Sequence, residues 1–344
     1  MPFLIMKKKI YTLAIESSCD DTSAAVLCND KVLSNIVAQQ AIHKEYGGVV
    51  PELASRAHQQ NIVPVVDVAI KKAGISKEEL NCISFTQGPG LMGSLLVGGS
   101  FAKSMSMALN IPLIAVNHMK AHILAHFIDE EGFDKPTFPF IALTISGGHT
   151  QIVQVNSFFD LKIIGETTDD AVGEAFDKSA KILGLPYPGG PLIDKYAQEG
   201  NPKAFKFTKP KVEGLNFSFS GLKTQILYFI QKNTAINPNF IEENRNDICA
   251  SIQDTIIDIL MDKLKIAVKE TGINQVTIGG GVSANSGIRK TLKETEKKYG
   301  WKTYIPKFEY TTDNAAMIGI VGYYNFLENN FSKNTTVSKA RIEF

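Results

Sequence analysis

The strongest constraint in this sequence is a plan that occurs twice. Residues 10–15 (Ile-Tyr-Thr-Leu-Ala-Ile) read as a buried strand. They run into the polar turn Glu16-Ser17-Ser18-Cys19-Asp20-Asp21-Thr22 and return as a second strand over 23–28. About 130 residues further on the plan recurs, with a strand at 140–145, the turn Ser146-Gly147-Gly148-His149 and a return over 150–155. Each unit opens a segment of mixed strands and helices, which predicts two similar α/β lobes with a cleft between them. At 344 residues the chain suits two domains of roughly 100–200 residues, and the Pro-rich stretch 134–139 is the best boundary.

Around the two hairpins the pattern predicts helices at 51–73, 95–109, 170–183, 190–198, 219–232, 240–270 and 313–328. Short strands are predicted at 82–86 and 275–278, the latter leading through Gly279-Gly280-Gly281 to a helix beginning near Asn285. The stretches 80–102 and 136–159 carry no Asp, Glu, Lys or Arg, but glycines and polar residues interrupt both, so neither reads as a membrane span. Met1 to Ile10 has basic residues without an apolar core or cleavage site, which argues against a secretory signal. Cys19, Cys28, Cys82 and Cys249 are scattered with no C-x-x-C, a usage that suits a reducing cytoplasm and disfavours a disulfide framework or thiolate zinc site. Thirty-six Lys and Arg against 35 Asp and Glu leave a net charge of +1, so any nucleic-acid contact has to come from local patches.

The chemistry-bearing residues fall into a few clusters. His118 and His122 in Asn117-His118-Met119-Lys120-Ala121-His122 stand four apart on one helix face, where two imidazoles can grip one ion. His126 continues the spacing but lies about 12 Å along the axis from His118, too far to share that ion, and reads as a helix-face residue. A zinc peptidase wants Glu beside the first His as its base, and Met119 stands there instead. A third ligand has to come from elsewhere. Asp313, in Thr311-Thr312-Asp313-Asn314, is the leading candidate, with helix capping as the alternative use. Glu174 and Asp177 near a helix start either stabilise the helix dipole or, for Asp177, hold ribose hydroxyls while Gly190 lets backbone approach a ligand. Gly279-Gly280-Gly281-Val282-Ser283-Ala284-Asn285 lies between strand and helix, where nucleotides commonly sit, yet it matches neither G-x-G-x-x-G nor a P-loop.

Together these residues resemble a known family. The carriers are Ala14 to Asp20, 44–58 (KEYGGVVPELASRAH), Gln87-Gly88-Pro89-Gly90, His118 and His122, and Ser146-Gly147-Gly148-His149-Thr150. Gly173 to Lys178, Tyr187 to Pro191, Phe217-Ser218-Phe219-Ser220-Gly221-Leu222-Lys223, Gly280 to Asn285 and Thr312-Asp313-Asn314 follow in order. They are similar to the TsaD family of tRNA adenosine threonylcarbamoyltransferases, once described as O-sialoglycoprotein endopeptidases. The resemblance runs from about residue 10 to 325, and Asp21 stands where Glu is more often expected.

The resemblance implies an α/β, bilobal actin/hsp70/hexokinase-like (ASKHA) fold: two duplicated mixed-sheet lobes, 1–136 and 137–344, with an interlobe cleft and the 313–328 helix at the lobe interface. It implies transfer of threonylcarbamoyl from threonylcarbamoyl-AMP to the exocyclic amine of the adenosine 3′ of the anticodon, in tRNAs reading codons that begin with A. By motif position His118, His122 and Asp313 bind the metal, while Thr144, Ile145, Ser146, Gly147, Gly148, Asp177, Gly190 and Asn285 bind the adenylate, with Asp194 on its ribose. The family metal is iron, and two His plus a carboxylate suit Fe(II) by ligand type and zinc as well. Asp20 is a candidate base or amine-orienting group, or else a turn-forming residue. The resemblance also implies a TsaB-like partner, a TsaE-like ATPase, a TsaC-like enzyme supplying the donor, a cytoplasmic location and no membrane. For tRNA, Lys203, Lys206, Lys209 and Lys211, and Arg289, Lys290, Lys293, Lys297 and Lys298, are the local basic stretches. A sugar kinase or a non-catalytic ATPase of the same fold would leave the His pair without a use.

Overall fold

The computed structural model describes residues 8–343; residues 1–7 of the N-terminal stretch read for a leader lie outside the described residues. In chain order the elements are β1 (Tyr11–Glu16), β2 (Thr22–Cys28), β3 (Lys31–Ala38), α1 (Pro51–Ala73), β4 (Cys82–Gly88), α2 (Met92–Leu109), β5 (Leu113–Asn117) and α3 (His118–Leu124). Then come β6 (Phe140–Ile145), β7 (Thr150–Val155), β8 (Leu161–Glu166), α4 (Val172–Ile182), α5 (Gly190–Ala197), α6 (Ser220–Thr234) and α7 (Phe240–Thr271). The chain continues through β9 (Gln275–Gly279), α8 (Ser286–Tyr299), β10 (Lys302–Tyr304) and α9 (Ala315–Leu327). Among the described residues no helix is long and apolar enough to cross a membrane. All four cysteines are free.

The strands form two five-stranded mixed sheets with the orders β3-β2-β1-β4-β5 and β10-β9-β6-β7-β8. In each, the opening hairpin and a third strand are antiparallel, and the first strand then pairs in parallel with a later strand that pairs in parallel with the next. The expected duplication is therefore a duplication of topology, strand for strand. The four strands that the sequence pattern did not signal, β3, β5, β8 and β10, are the four sheet edges.

The described chain divides into two compact units. One holds the residues up to Ala41, Val49–Lys135 and the segment from Asp313 onward; the other holds Ile42–Gly48 and Pro136–Thr312. The expectation of one continuous second lobe over 137–344 needs correction here, because the last segment returns to the first unit. The reason is packing. Side chains alternate across a strand, so Leu13 and Ile15 of β1 face a core with Ile62, Val65, Val66 and Ala69 of α1 and Ala102 of α2. Thr12 and Ala14 face the other way, and α9 lies against them.

α9 lies very close to that sheet. A Cβ on Gly319 would stand 2.3 Å from Leu27 Cδ1, and one on Gly322 would stand 2.6 Å from Ser84 Cβ. The helix entrance is fixed by Asn314, whose side chain accepts from Met317 N–H at 3.1 Å, and by Ser23 Oγ, which accepts from Ala315 N–H at 2.9 Å. In the second unit α7, with Ile248, Ile252, Ile256 and Leu260, anchors the core against Val276, Ile278 and Phe217. On an exposed helix Gly→Ala stabilises by about 1 kcal/mol. At Gly322 the sign reverses: Gly322→Ala is expected to destabilise by about 1–3 kcal/mol through overpacking, read as a lower denaturant midpoint at unchanged slope.

Candidate functional site

The first unit places its ionisable residues at the ends of β1, β5 and the lead into α9. Asn117 ends β5 and caps α3, accepting from Met119 N–H at 2.9 Å and Lys120 N–H at 3.1 Å. That cap starts the helix at His118, so His118 and His122 occupy successive turns of one face. Asp313 joins them. It is not the cap of α9, which is Asn314, but the residue before it, so its carboxylate is not spent on helix N–H groups.

The three ligand atoms form a nearly equilateral triangle. His118 Nε2 and His122 Nε2 are 3.2 Å apart, and Asp313 Oδ1 is 3.3 Å from the first and 3.2 Å from the second. The centre of such a triangle lies about 1.9 Å from each corner, close to the roughly 2.0–2.2 Å of zinc bonds to nitrogen and oxygen. Three electron-pair donors facing one point repel unless a proton or a cation sits among them, so the donor set fits a divalent ion. Both imidazoles are buried, whereas the Asp313 side chain is 32% exposed, which leaves the triangle an open side.

Glu16, the last residue of β1, lies behind His118 and is fully buried. Its carboxylate accepts from Ser18 N–H at 2.5 Å and from Thr86 Oγ1 at 2.5 Å, and stands 3.0 Å from His118 Nδ1. Burial works against charge on His118, but the Glu16 and Asp313 carboxylates outweigh it and hold its pKa well above the ordinary value. Burial likewise opposes the Asp313 carboxylate, and His118 and His122 outweigh it, keeping that carboxyl well below the usual range. His122 moves the other way, pushed down by burial. The Asp21 carboxyl is pushed up to about 7 by burial and then by the neighbouring charges of Asp20 and Asp313. His126 sits in a short 3-10 turn, Ala125–Phe127, buried and outside the triangle.

The second unit holds a pocket of about 320 Å³, lined by Gly147, Gly173, Phe176, Asp177, Pro188, Gly190, Asp194, Val282, Asn285 and Phe308 among others. Ligand sites run to roughly 300–1,000 Å³. The starts of α4, α5 and α8 all border it. Two glycines make this possible. A Cβ on Gly173 would stand 2.7 Å from Ser146 O, and Gly280, at φ +87°, brings its loop so near that a Cβ would stand 2.4 Å from Ile145 O.

Of the residues singled out in the sequence, Gly147, Asp177, Gly190, Asp194 and Asn285 line this pocket. The side chains of Asp177, Asp194 and Asn285 are also occupied within the protein. Asp177 Oδ1 accepts from Gly189 and Gly190 N–H at 2.8 and 3.0 Å, and burial raises its pKa against those two bonds. Asp194 accepts from Ser286 N–H at 3.0 Å and Ser286 Oγ at 2.7 Å. Asn285 caps α8 through Ile288 N–H and donates to Gln253 Oε1 at 2.7 Å. Thr144 and Ile145 are buried in β6 and do not line the pocket, while Ser146 closes the turn by accepting from His149 N–H.

Several basic residues turn out to be internally engaged. Lys203 pairs with Asp254 at 2.6 Å, Lys209 with Asp262, and Lys293 with Glu296 at 2.9 Å. Arg289 donates to Ser283 O at 3.2 Å and Pro306 O at 2.9 Å, so it fastens the loop beside the pocket. Sequence reasoning missed Glu16 as a partner of His118, and Phe308 as a pocket wall. Glu16 stood inside a quoted motif, but only the fold brings a β1 terminus to α3.

Comparison with known proteins fits this geometry. The TsaD family model, described as tRNA N6-adenosine threonylcarbamoyltransferase, matches residues 31–320. A protein of that name from Christiangramia forsetii is 71% identical over 337 residues, covering 98% of this chain and 99% of its own. One from Porphyromonas gingivalis is 58% identical over 339 residues, with the same two coverages. Among solved structures, HypF of T. kodakarensis superposes with TM-score 0.64 at 16% identity, over 96% of this chain and 50% of its own. Component A of the Acidaminococcus fermentans (R)-2-hydroxyglutaryl-CoA dehydratase gives 0.52 at 15% identity, over 92% and 98%. These two likenesses speak for the fold alone, which is of the actin/hsp70/hexokinase-like class. By its sequence relatives, the chain belongs to the TsaD family, the tRNA N6-adenosine threonylcarbamoyltransferases.

Proposed function

We propose that the protein transfers the threonylcarbamoyl group of threonylcarbamoyl-AMP to the exocyclic amine of the adenosine 3′ of the anticodon, in tRNAs reading codons that begin with A, and releases AMP. The observation that carries this reading is the meeting of His118, His122 and Asp313 at one point, in a chain of this family. These three residues hold one divalent ion, iron in our reading, with zinc suited by the same donors. When bound, the ion supplies Lewis acidity and a template for the threonylcarbamoyl group.

The chain's own residues do the rest. The donor is a mixed anhydride, so AMP leaves with little help, and the harder task is to hold a weakly nucleophilic amine in line with the carbamoyl carbon. Positioning of this kind supplies several kcal/mol. The pocket of the second unit binds the adenylate: N–H groups of the Gly147-Gly148 turn meet its phosphate. Asp177 and Gly190 border its ribose. Asp194 and Asn285 act by fixing the start of α8, and Thr144, Ile145 and Ser146 by setting the turn. In the first unit Asp20, beside the raised carboxyl of Asp21, orients the incoming amine or takes its proton.

tRNA phosphates meet Lys206, Lys211, Lys290, Lys297 and Lys298, since Lys203, Lys209, Lys293 and Arg289 already have partners in the protein. A TsaB-like partner and a TsaE-like ATPase complete the system, a TsaC-like enzyme makes the donor, and the work is done in the cytoplasm.

The test is transfer from purified threonylcarbamoyl-AMP to unmodified tRNA, with the modified nucleoside read by mass and the metal by elemental analysis. His118→Ala and His122→Ala are each expected to lose the metal and about 10²–10³-fold in rate, since a Lewis acid contributes several kcal/mol. Unchanged transfer in both variants would refute the metal's part.

A second prediction concerns acidity. A carboxyl whose pKa rises from 3.8 unfolded to about 7 folded stabilises the fold below the lower value and loses that contribution as pH rises to the higher one. In chelator, the melting temperature of Asp21→Asn relative to the parent protein is therefore expected to climb between about pH 4 and pH 7 and to level off above. A constant difference across that range would contradict the assignment.

A further inference from the structure

We propose that Glu16 is a positioning residue for His118: it accepts the Nδ1 proton and so fixes the tautomer and ring rotation that aim Nε2 at the ion. The inference rests on the reading of His118, His122 and Asp313 as metal ligands, and it adds a residue that touches none of the reacting atoms.

The first argument is one of reach. Alternation along β1 sends Leu13 and Ile15 toward α1 and α2, and Thr12 and Ala14 toward α9. Glu16 continues the second set, onto the face where α9 begins and Asp313 stands. Thr86 is the residue after Phe85, which pairs with Ile15, so it comes alongside Glu16 on β4.

The second argument is one of satisfied valence. A fully buried carboxylate survives only when donors saturate its oxygens. Here Oε1 accepts from Ser18 N–H, and Oε2 accepts from Thr86 Oγ1. The remaining neighbour, His118 Nδ1 at 3.0 Å, must therefore be a donor as well. A proton placed on Nδ1 leaves the Nε2 lone pair free, and Nε2 is the atom in the triangle. Ser18 Oγ, 3.3 Å from the same Nδ1, is placed to share that proton.

His122 shows what the arrangement adds. Its Nδ1 is buried and has no hydrogen-bond partner among the described residues, so nothing behind that ring fixes its tautomer. One imidazole of the pair is thus oriented by a carboxylate and the other is not. Outer partners of this type typically change metal affinity 10–100-fold.

The test uses Co(II) added to the full-length, metal-stripped protein, with visible absorption giving both affinity and coordination geometry. Glu16→Gln keeps the shape and the acceptor for Ser18 N–H, but turns an NH₂ toward His118 Nδ1 and favours the wrong tautomer. It is expected to weaken Co(II) binding 10–100-fold and to alter the absorption band at saturation, while metal-free melting stays cooperative. If Glu16→Gln does not melt cooperatively, Glu16→Asp carries the same expectation, because it keeps the charge but withdraws the oxygens by about 1.5 Å. Parent-like affinity and spectrum in a folded variant would overturn the role of Glu16 and leave the metal reading standing. A folded parent protein that takes up no Co(II) would overturn the metal reading, and this inference with it.

Discussion

Two imidazoles and two carboxylates crowd into one corner of the first unit, and the rest of that unit is organised around keeping them there. Left to themselves, Glu16 and Asp313 on either side of His118 would be an expensive concentration of negative charge in a largely buried place. The structure manages it by giving Glu16 three donors and by leaving Asp313 free of capping duty. The result is a triangle of lone pairs whose natural complement is a cation.

That corner depends on a close approach between helix and sheet. Asp313 meets His118 only because α9 lies almost in contact with β1, β2 and β4, and it can lie there only because Gly319 and Gly322 have no side chains. Ser23 and Asn314 then fix the helix start to within one residue. A shift of one position would hand the cap to Asp313 and take its carboxylate away from the imidazoles. The chemistry and the packing of this segment are therefore one problem with one solution.

The same sheet topology serves a different end in the second unit. In the first, Glu16 at the end of β1 and Ser18 in the turn after it point inward to a histidine. In the second, the equivalent turn after β6 is Ser146-Gly147-Gly148, open and rich in exposed backbone. One duplicated scaffold thus presents side-chain ligands in one copy and backbone donors in the other. The difference follows from which residues fill the short turn, 17–21 in one unit and 146–149 in the other.

Much of this was legible in the chain. The hairpins at 10–28 and 140–155 announced the duplication because central strands, buried on both faces, leave apolar runs that a linear pattern detects. The His118–His122 pair was legible because helical periodicity is local. Edge strands such as β3 and β8 are half exposed and carry no such signal, so they emerged only from pairing. By itself, then, the sequence determined the two sheets' central strands, the helices that flank them and the pair of histidines able to share a metal ion. Only the tertiary structure decided that Asp313 returns to the first unit, that Asn314 rather than Asp313 is the cap, and that Glu16 backs His118. The first and the last join residues some 100 to 200 positions apart, and the helix start is fixed by Ser23, 292 positions before Ala315; such contacts are set by strand parity and helix packing, which no local pattern encodes.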